Sequence, residues 1–344
     1  MRVVIVAPCF GSLGGVETFI CALAKELHSH SGVAVTLCFK KTKTFQLHHL
    51  LEESARATGA KVLFVERASR ELVAVIRDAD IVHCQNPSID IAVVAKFFRR
   101  PLAMTIHGWR QGSPRARAAI ERAAWRMADR TWYNSEFVWR TWEPEGRRKL
   151  SERLPVVSNL PSGVVPIAQR KGFVFIARWI ANKGIDILVE AYARAQLDRR
   201  EWPLILMGDG PLRPAMEKKI REEKITGIEI RGFVSDEERN ETIRHARWMV
   251  TPPNTNEDLG LTPIEARHVG VPCIITRDGG LPEAGGKHAL SCEPGDVEGL
   301  QKLLESAAQM DPVEYERRAR ETRIELLEQL QPLSIYLQRY REML

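Results

Sequence analysis

Residues 251–283 read TPPNTNEDLGLTPIEARHVGVPCIITRDGGLPE. A polar loop carries Glu257, a helix starts at Thr262 and Pro263, a second carboxylate follows at Glu265, and a short apolar strand at 273–276 ends near a turn at Gly279 and Gly280. Loop, short helix and β-branched run spell one α/β unit of a parallel sheet. The opening turn of a helix leaves backbone N–H groups unpaired, and these favour anions, so this unit is a place to hold a phosphorylated ligand. The same residues have a purely local reading. Thr262 as N-cap, Pro263 at the first helical position and Glu265 three residues after the cap form a capping box worth about 1 kcal/mol. That reading leaves Glu257 unexplained.

Outward from this unit the pattern repeats. Strands are expected at 173–177, 204–207, 228–231 and 248–251 before it, with helices between them, one opened by a capping box of Ser235 and Glu238. Three helices, at roughly 297–308, 312–329 and 332–343, close the chain. A segment rich in Pro, Ser, Gly and Asn at 156–166 reads as a linker. Before it a second run has strands at 3–7, 33–39, 61–65, 80–84 and 102–106, with a helix at 17–27 after a glycine-rich turn. The expected fold class is α/β, with two doubly wound Rossmann-like domains facing across a cleft lined by strand C-terminal ends. The domains are expected at 1–165 and 166–330, with a helix at 331–344 crossing back to the first.

Bulk properties narrow the class. At 44% hydrophobic and 27% charged residues, the 344-residue chain has the composition of a globular protein, not of a disordered or fibrous one. No apolar run approaches the roughly 20 residues that span a bilayer. The first residues enter a strand pattern with no export signal, so the expected location is the cytoplasm, with peripheral contact at the inner face of the plasma membrane. Six cysteines without CxxC pairs suit reduced, packed thiols. The net charge of +6 is concentrated in the first half, which suits an acidic surface or ligand. Asp78 and Asp80 could hold a divalent ion, but they precede a strand at its entry end and read as a turn, so no metal is expected there.

Several residues could carry chemistry. Gly11 to Gly15 lie between a strand and a helix, where amides could dock a phosphate; a tight structural turn is an equal reading. Their spacing fits neither the dinucleotide fingerprint nor the P-loop. Arg178 and Lys183 follow a strand and could neutralise a diphosphate leaving group, though exposed strand-end cations are common. His107 ends another strand and could hydrogen-bond a sugar or hydroxyl acceptor; His83, at a similar strand end, shows how often such a histidine is structural. Arg110, Arg115, Arg117, Arg122, Arg126 and Arg130 alternate with Trp109, Trp125 and Trp132. The helix there is expected to cover the sheet through a stripe of Ala116, Ile120, Ala123 and Met127, with weak anionic-membrane contact on its outer face and nucleic acid disfavoured.

In order, Gly14-Gly15, His107-Gly108, Asn134-Ser135, Arg178 with Lys183-Gly184, Gly208-Asp209-Gly210, Gly232-Phe233-Val234, Glu257 with Glu265, and Gly279-Gly280-Leu281-Pro282-Glu283 resemble the retaining glycosyltransferases of family 4, of GT-B architecture. The resemblance implies that Arg178 and Lys183 bind a donor diphosphate, helped by Gly14, Gly15, Gly208 and the amides of Gly260, Leu261 and Thr262. It implies that Glu265 takes the ribose hydroxyls, that Glu257 approaches the transferred sugar, that His107 positions that sugar or the acceptor, and that Phe233 and Val234 lie near the base. Asp258-Leu259 departs from the family's usual small or proline residue followed by an aromatic, which bears on donor choice.

The function so implied is metal-independent, retaining hexosyl transfer from a UDP-, GDP- or ADP-sugar to a glycan or lipid-linked glycan, in lipopolysaccharide or other surface polysaccharide synthesis. No cofactor beyond the nucleotide-sugar co-substrate is expected. An epimerase or hydrolase on the same fold would turn over without acceptor, and a non-catalytic nucleotide-sugar or nucleic-acid binding module would not need Glu257.

Overall fold

The computed structural model describes residues 1–110, 114–148, 150–157 and 160–344. The chain forms two compact units, Met1–Asn159 with Gln331–Leu344, and Leu160–Leu330. The linker expected at 156–166 includes residues 158 and 159, which lie outside the described residues.

In the first unit the strands are β1 (Arg2–Cys9), β2 (Ala34–Lys41), β3 (Lys61–Val65), β4 (Ile81–Gln85), β5 (Leu102–Ile106), β6 (Arg130–Tyr133) and β7 (Ser151–Arg153). Between them run α1 (Gly15–His28), α2 (His49–Arg56), α3 (Arg70–Asp78), α4 (Ile89–Phe97), α5 (Arg115–Arg126) and α6 (Glu136–Trp142). All strand pairs are parallel, in the order β3-β2-β1-β4-β5-β6-β7. Central strands such as β1, β4 and β5 are buried on both faces, which is why they read as unbroken apolar runs. The order reverses between β1 and β4; the glycine-rich turn from Gly11 follows β1, and Asn86 follows Gln85 at the end of β4.

The second unit has β8 (Lys171–Ile176), β9 (Leu204–Met207), β10 (Ile228–Gly232), β11 (Ala246–Thr251), β12 (Cys273–Thr276) and β13 (Leu290–Cys292), with α7 (Ile185–Arg194), α8 (Arg213–Glu222), α9 (Asp236–His245), α10 (Leu261–His268), α11 (Leu281–Gly285), α12 (Val297–Ala308) and α13 (Pro312–Gln329). Its parallel order is β10-β9-β8-β11-β12-β13, reversing between β8 and β11. One face of the sheet packs Phe173, Trp248, Leu188 and Tyr315; the other packs Met249, Ile275, Ala266 and Leu281. Both units are therefore doubly wound parallel α/β sheets of Rossmann-like type. The Ser235 cap forms as the sequence suggests, its hydroxyl accepting the Glu238 amide.

Three expectations are corrected. The strands β6, β7 and β13 were absent from the sequence pattern because they read Arg-Thr-Trp-Tyr, Ser-Glu-Arg and Leu-Ser-Cys, mixed or three-residue stretches without the apolar run that marks β9 and β12. Of the stripe Ala116, Ile120, Ala123 and Met127, Met127 packs on the core, but Ala116, Ile120 and Ala123 are exposed, Ile120 at 51%, and Ala124 is buried in α5 instead. The Trp125 indole donates to the Tyr133 hydroxyl at 3.0 Å, anchoring the end of α5 on the side that brings Ala124 inward. Helix α10 is capped by Gly260 and not by Thr262, so Pro263 stands third in the helix, where its missing N–H is one of the unpaired first-turn groups anyway.

The last helix, α14 (Ile335–Arg341), packs in the first unit and buries Tyr336 and Tyr340 completely. Both rings lie against His83 and Trp132, and the Tyr336 hydroxyl donates to the Pro155 carbonyl at 3.1 Å. Burial beneath this helix pushes His83 down to about 3, and burial pushes His107 down to about 4, both from 6.5. In the unfolded chain both return to ordinary values and take up protons that the native unit excludes. Their contribution to stability is therefore complete above about pH 6.5 and falls on acidification, by about 1.4 kcal/mol per pH unit for each histidine. Amide-exchange protection of β4 and β5, corrected for intrinsic exchange, should drop accordingly between pH 7 and pH 5; unchanged protection would contradict this.

Candidate active site

In the second unit the loops after β8 and β11 flank the point where strand order reverses, and they carry the two residues that the structure brings into direct contact. Arg178 lies exposed two residues after β8, and a single 3-10 turn, Ala181–Lys183, follows. Gly184 ends that turn with φ +68°, and a Cβ there would stand 1.9 Å from the Pro252 carbonyl oxygen. Only glycine permits this approach. With the Asn254 amide donating to the Asn182 carbonyl at 3.2 Å, it seats the β8 loop on the β11 loop. Lys183 Nζ consequently reaches Glu257 Oε2 at 2.5 Å, with both side chains mostly buried.

The position of Glu257 is fixed by a residue that the sequence pattern did not single out. Asp278, buried after β12, accepts the backbone amides of Asn256 and Glu257 on separate carboxylate oxygens, each at 2.7 Å. Asn256 takes the left-handed conformation, φ 47°, beside this grip. Gly279 then passes so close that a Cβ would lie 2.1 Å from the Glu257 carbonyl oxygen, and the Gly280 amide donates to that oxygen at 2.7 Å. The signal in the sequence was Asp278 immediately before the glycine pair, visible but without a partner until the fold supplied one.

Helix α10 opens directly after this loop. Gly260 gives it no side-chain cap, so the first-turn amides of Leu261 and Thr262 are oriented for a ligand or solvent. Glu265 is 4% exposed, points inward, and lies 3.4 Å from Arg239 Nη1. Burial raises its pKa, the nearby Arg239 opposing that shift. Its Oε2 is buried with no hydrogen-bond partner among the described residues. A buried carboxylate oxygen left unpaired is expensive, and a hydroxyl donor would relieve it. Gly208 leads the loop after β9, where Asp209 pairs with Arg213 at 2.7 Å. Beyond β10, Phe233 is 80% exposed while Val234 packs partly on the core.

In the first unit Gly14 caps α1 and Gly15 is its first residue, but the Gly14 amide is held at 3.1 Å by the carboxylate of Glu17. His107 follows β5. Its amide is held by Asn86 Oδ1 at 2.9 Å, its carbonyl by Asn134 Nδ2 at 2.8 Å, and its Nε2 by Gln85 Oε1 at 2.7 Å. Asp80 pairs with Arg2 and Asp78 with Arg77. Among the described residues no group of three or more His, Cys, Asp or Glu side chains is arranged to hold a metal ion. The six cysteines are free and buried.

Two doubly wound sheets, with cations and a helix N-terminus gathered at the switch point of the second, define the class of nucleotide-binding GT-B proteins. Residues 13–160 match the family described as Glycosyltransferase Family 4, and residues 170–309 match Glycosyl transferases group 1. The chain is 31% identical to the 2-deoxystreptamine N-acetyl-D-glucosaminyltransferase of Niallia circulans over 38% of its own length and 34% of that protein. It is 29% identical to the O-antigen chain mannosyltransferase B of Escherichia coli, over 47% of its own length and 45% of that protein. The matched stretches thus span less than half of either relative. The crystal structure of Anabaena HepE in complex with UDP superposes with a TM-score of 0.82 at 16% identity, covering 99% of each chain. The chain belongs to the family 4-like glycosyltransferases of GT-B fold.

Replacing Asp278 by Ala removes two hydrogen bonds to a charged acceptor, each worth roughly 1.5–3 kcal/mol. The urea midpoint of the second unit should fall by the equivalent of about 3 kcal/mol or more, with Asp278→Asn intermediate because it keeps one acceptor oxygen. An unchanged midpoint in Asp278→Ala would show that the loop is held by something else.

Proposed function

We propose that the protein transfers a hexosyl group from a nucleoside-diphosphate sugar to a hydroxyl of a glycan acceptor, with retention at the anomeric carbon. The observation that carries this reading is the contact of Lys183 with Glu257 beside the uncapped start of α10. On this reading Lys183 leaves Glu257 when the donor binds and turns to the diphosphate, where Arg178 and the amides of Leu261 and Thr262 join it. Glu257 is then released toward the transferred sugar, and the unpaired oxygen of Glu265 accepts a ribose hydroxyl. In the second unit Gly208 borders the donor and Phe233 and Val234 lie near its base; in the first, Gly14 and Gly15 are assigned to a phosphate and His107 to a hydroxyl of the sugar or acceptor.

The chemistry follows from that charge distribution. The bond between the anomeric carbon and the diphosphate oxygen breaks, its electron pair leaving on the phosphate, where fixed cations and helix-end dipoles stabilise it. The acceptor hydroxyl oxygen bonds the same carbon from the face that the diphosphate vacates, and its proton passes to the departing phosphate. Positive potential from Lys183, Arg178 and α10 serves here where other enzymes use a bound cation.

The UDP complex of the Anabaena protein supports a uridine nucleotide, and the O-antigen relative supports a surface polysaccharide as product. Exposed Ile120, set among Arg115, Arg117, Arg122 and Arg126 on α5, supports peripheral contact with an anionic membrane carrying the acceptor. No helix among the described residues is long and apolar enough to cross a membrane.

Transfer is measured as nucleoside diphosphate released in the presence of an acceptor pool. Lys183→Ala should lower kcat about 10²–10³-fold, the usual loss for one charge-stabilising group, with Glu257→Ala comparably impaired. Chelator should leave the wild-type rate unchanged. Release at full rate without acceptor would instead point to hydrolysis. In a thermal-shift panel of UDP-, GDP- and ADP-sugars, the true donor at 100 times its Kd adds about 2.7 kcal/mol.

A further inference from the structure

A chain of buried polar groups links the terminal helix to His107. Gln85, His83, Thr105 and Tyr340 are all fully buried, and His107 nearly so. His107 Nε2 stands 2.7 Å from Gln85 Oε1, Gln85 Nε2 stands 3.2 Å from His83 Nε2, and His83 Nδ1 stands 2.8 Å from the Tyr340 hydroxyl. Thr105 Oγ1 lies 2.7 Å from His83 Nε2.

With the Gln85 amide oxygen turned toward His107, donor and acceptor rules set the protons along this chain. A carbonyl oxygen only accepts, so His107 donates from Nε2 to Gln85. An amide nitrogen only donates, so His83 Nε2 carries a lone pair, shared between Gln85 and the Thr105 hydroxyl. The His83 proton is therefore on Nδ1 and is donated to the Tyr340 oxygen. Both rings are neutral, as their burial requires. With its proton committed at Nε2, His107 keeps a lone pair on Nδ1, which makes no hydrogen bond among the described residues. The ring cannot swing away, because its backbone is gripped by Asn86 and Asn134 and the Phe19 ring packs edge-on at 5.6 Å.

We infer that Gln85, backed by His83 and by Tyr340 of the terminal helix, is a positioning residue that holds His107 as the Nε2–H tautomer, so that Nδ1 accepts a hydrogen bond from a sugar hydroxyl. This assignment rests on the glycosyl-transfer reading above for the identity of the hydroxyl, but not for the tautomer. Turning the Gln85 amide over would reverse every bond of the chain together. His107 would then present an N–H and select a different partner atom.

The test uses the full chain with ¹⁵N-labelled histidine and long-range ¹H–¹⁵N spectra near neutral pH, His107 being assigned by its loss in His107→Gln. The expected wild-type signature is a protonated Nε2 and a bare Nδ1. Gln85→Leu should populate the other tautomer and lower kcat about tenfold, the worth of one hydrogen bond, while the donor KM stays unchanged. Tyr340→Phe leaves the Gln85 contact in place but removes the acceptor for His83 Nδ1, and should shift the same spectrum in the same direction. A wild-type His107 protonated on Nδ1 overturns the assignment, as does an unaltered spectrum with unaltered kcat in both variants. Because the spectrum needs no turnover, a wild type that transfers no sugar defeats the functional reading separately from the tautomer.

Discussion

The ion pair between Lys183 and Glu257 is the contact on which the second unit's site depends, and three backbone constraints create it. Gly184 lets the β8 loop touch the carbonyl of Pro252, Asp278 holds the amides of Asn256 and Glu257, and Gly279-Gly280 closes against the Glu257 carbonyl. None of these is an interaction between the two side chains themselves. A mostly buried pair of opposite charges carries a large desolvation penalty that its attraction roughly balances, so it contributes little net stability on its own. On the proposed function, its value lies in pre-placing an ammonium group where a more strongly charged diphosphate would draw it away.

The parallel, doubly wound sheet explains why these loops meet at all. Strands β8 and β11 are neighbours, although 69 residues lie between Ile176 and Ala246. Their outgoing loops therefore fall side by side at the reversal of strand order, where crossover helices leave room for a ligand. Helix α10 starts at the same edge, and its free amides add positive potential without the desolvation penalty of another charged side chain.

Much of this was legible in the sequence, for physical reasons that also mark where legibility stops. Strands β3, β5, β9 and β12 stand out because they are apolar runs of four or five residues bounded by turn residues. Helices α12 and α13 show through long polar-apolar periodicity, whereas α14 is only Ile335–Arg341 of the expected 332–343. Short edge strands such as β7 and β13 lack enough residues to show a period. Helix α5 misled because its arginine-rich sequence offers several alanine stripes, and tertiary contacts, among them the bond from Trp125 to Tyr133, choose among them. Glu257 and Lys183 were legible as candidates, but their contact spans 74 residues and could not be read from spacing. Asp278, Gln85 and Arg239 escaped for the same reason: each acts through a partner that only the fold brings near.

The central claim is that one ammonium group serves Glu257 in the free protein and the diphosphate in the complex. The most direct measurement is calorimetric UDP affinity in wild type, Lys183→Ala, Glu257→Ala and the double variant, since UDP carries no sugar for Glu257 to touch. Competition for Lys183 predicts that Glu257→Ala binds UDP more tightly than wild type, that Lys183→Ala binds it more weakly, and that the double variant matches Lys183→Ala. If Glu257→Ala instead weakens UDP as much as Lys183→Ala does, the two side chains act as a fixed pair and the account is wrong.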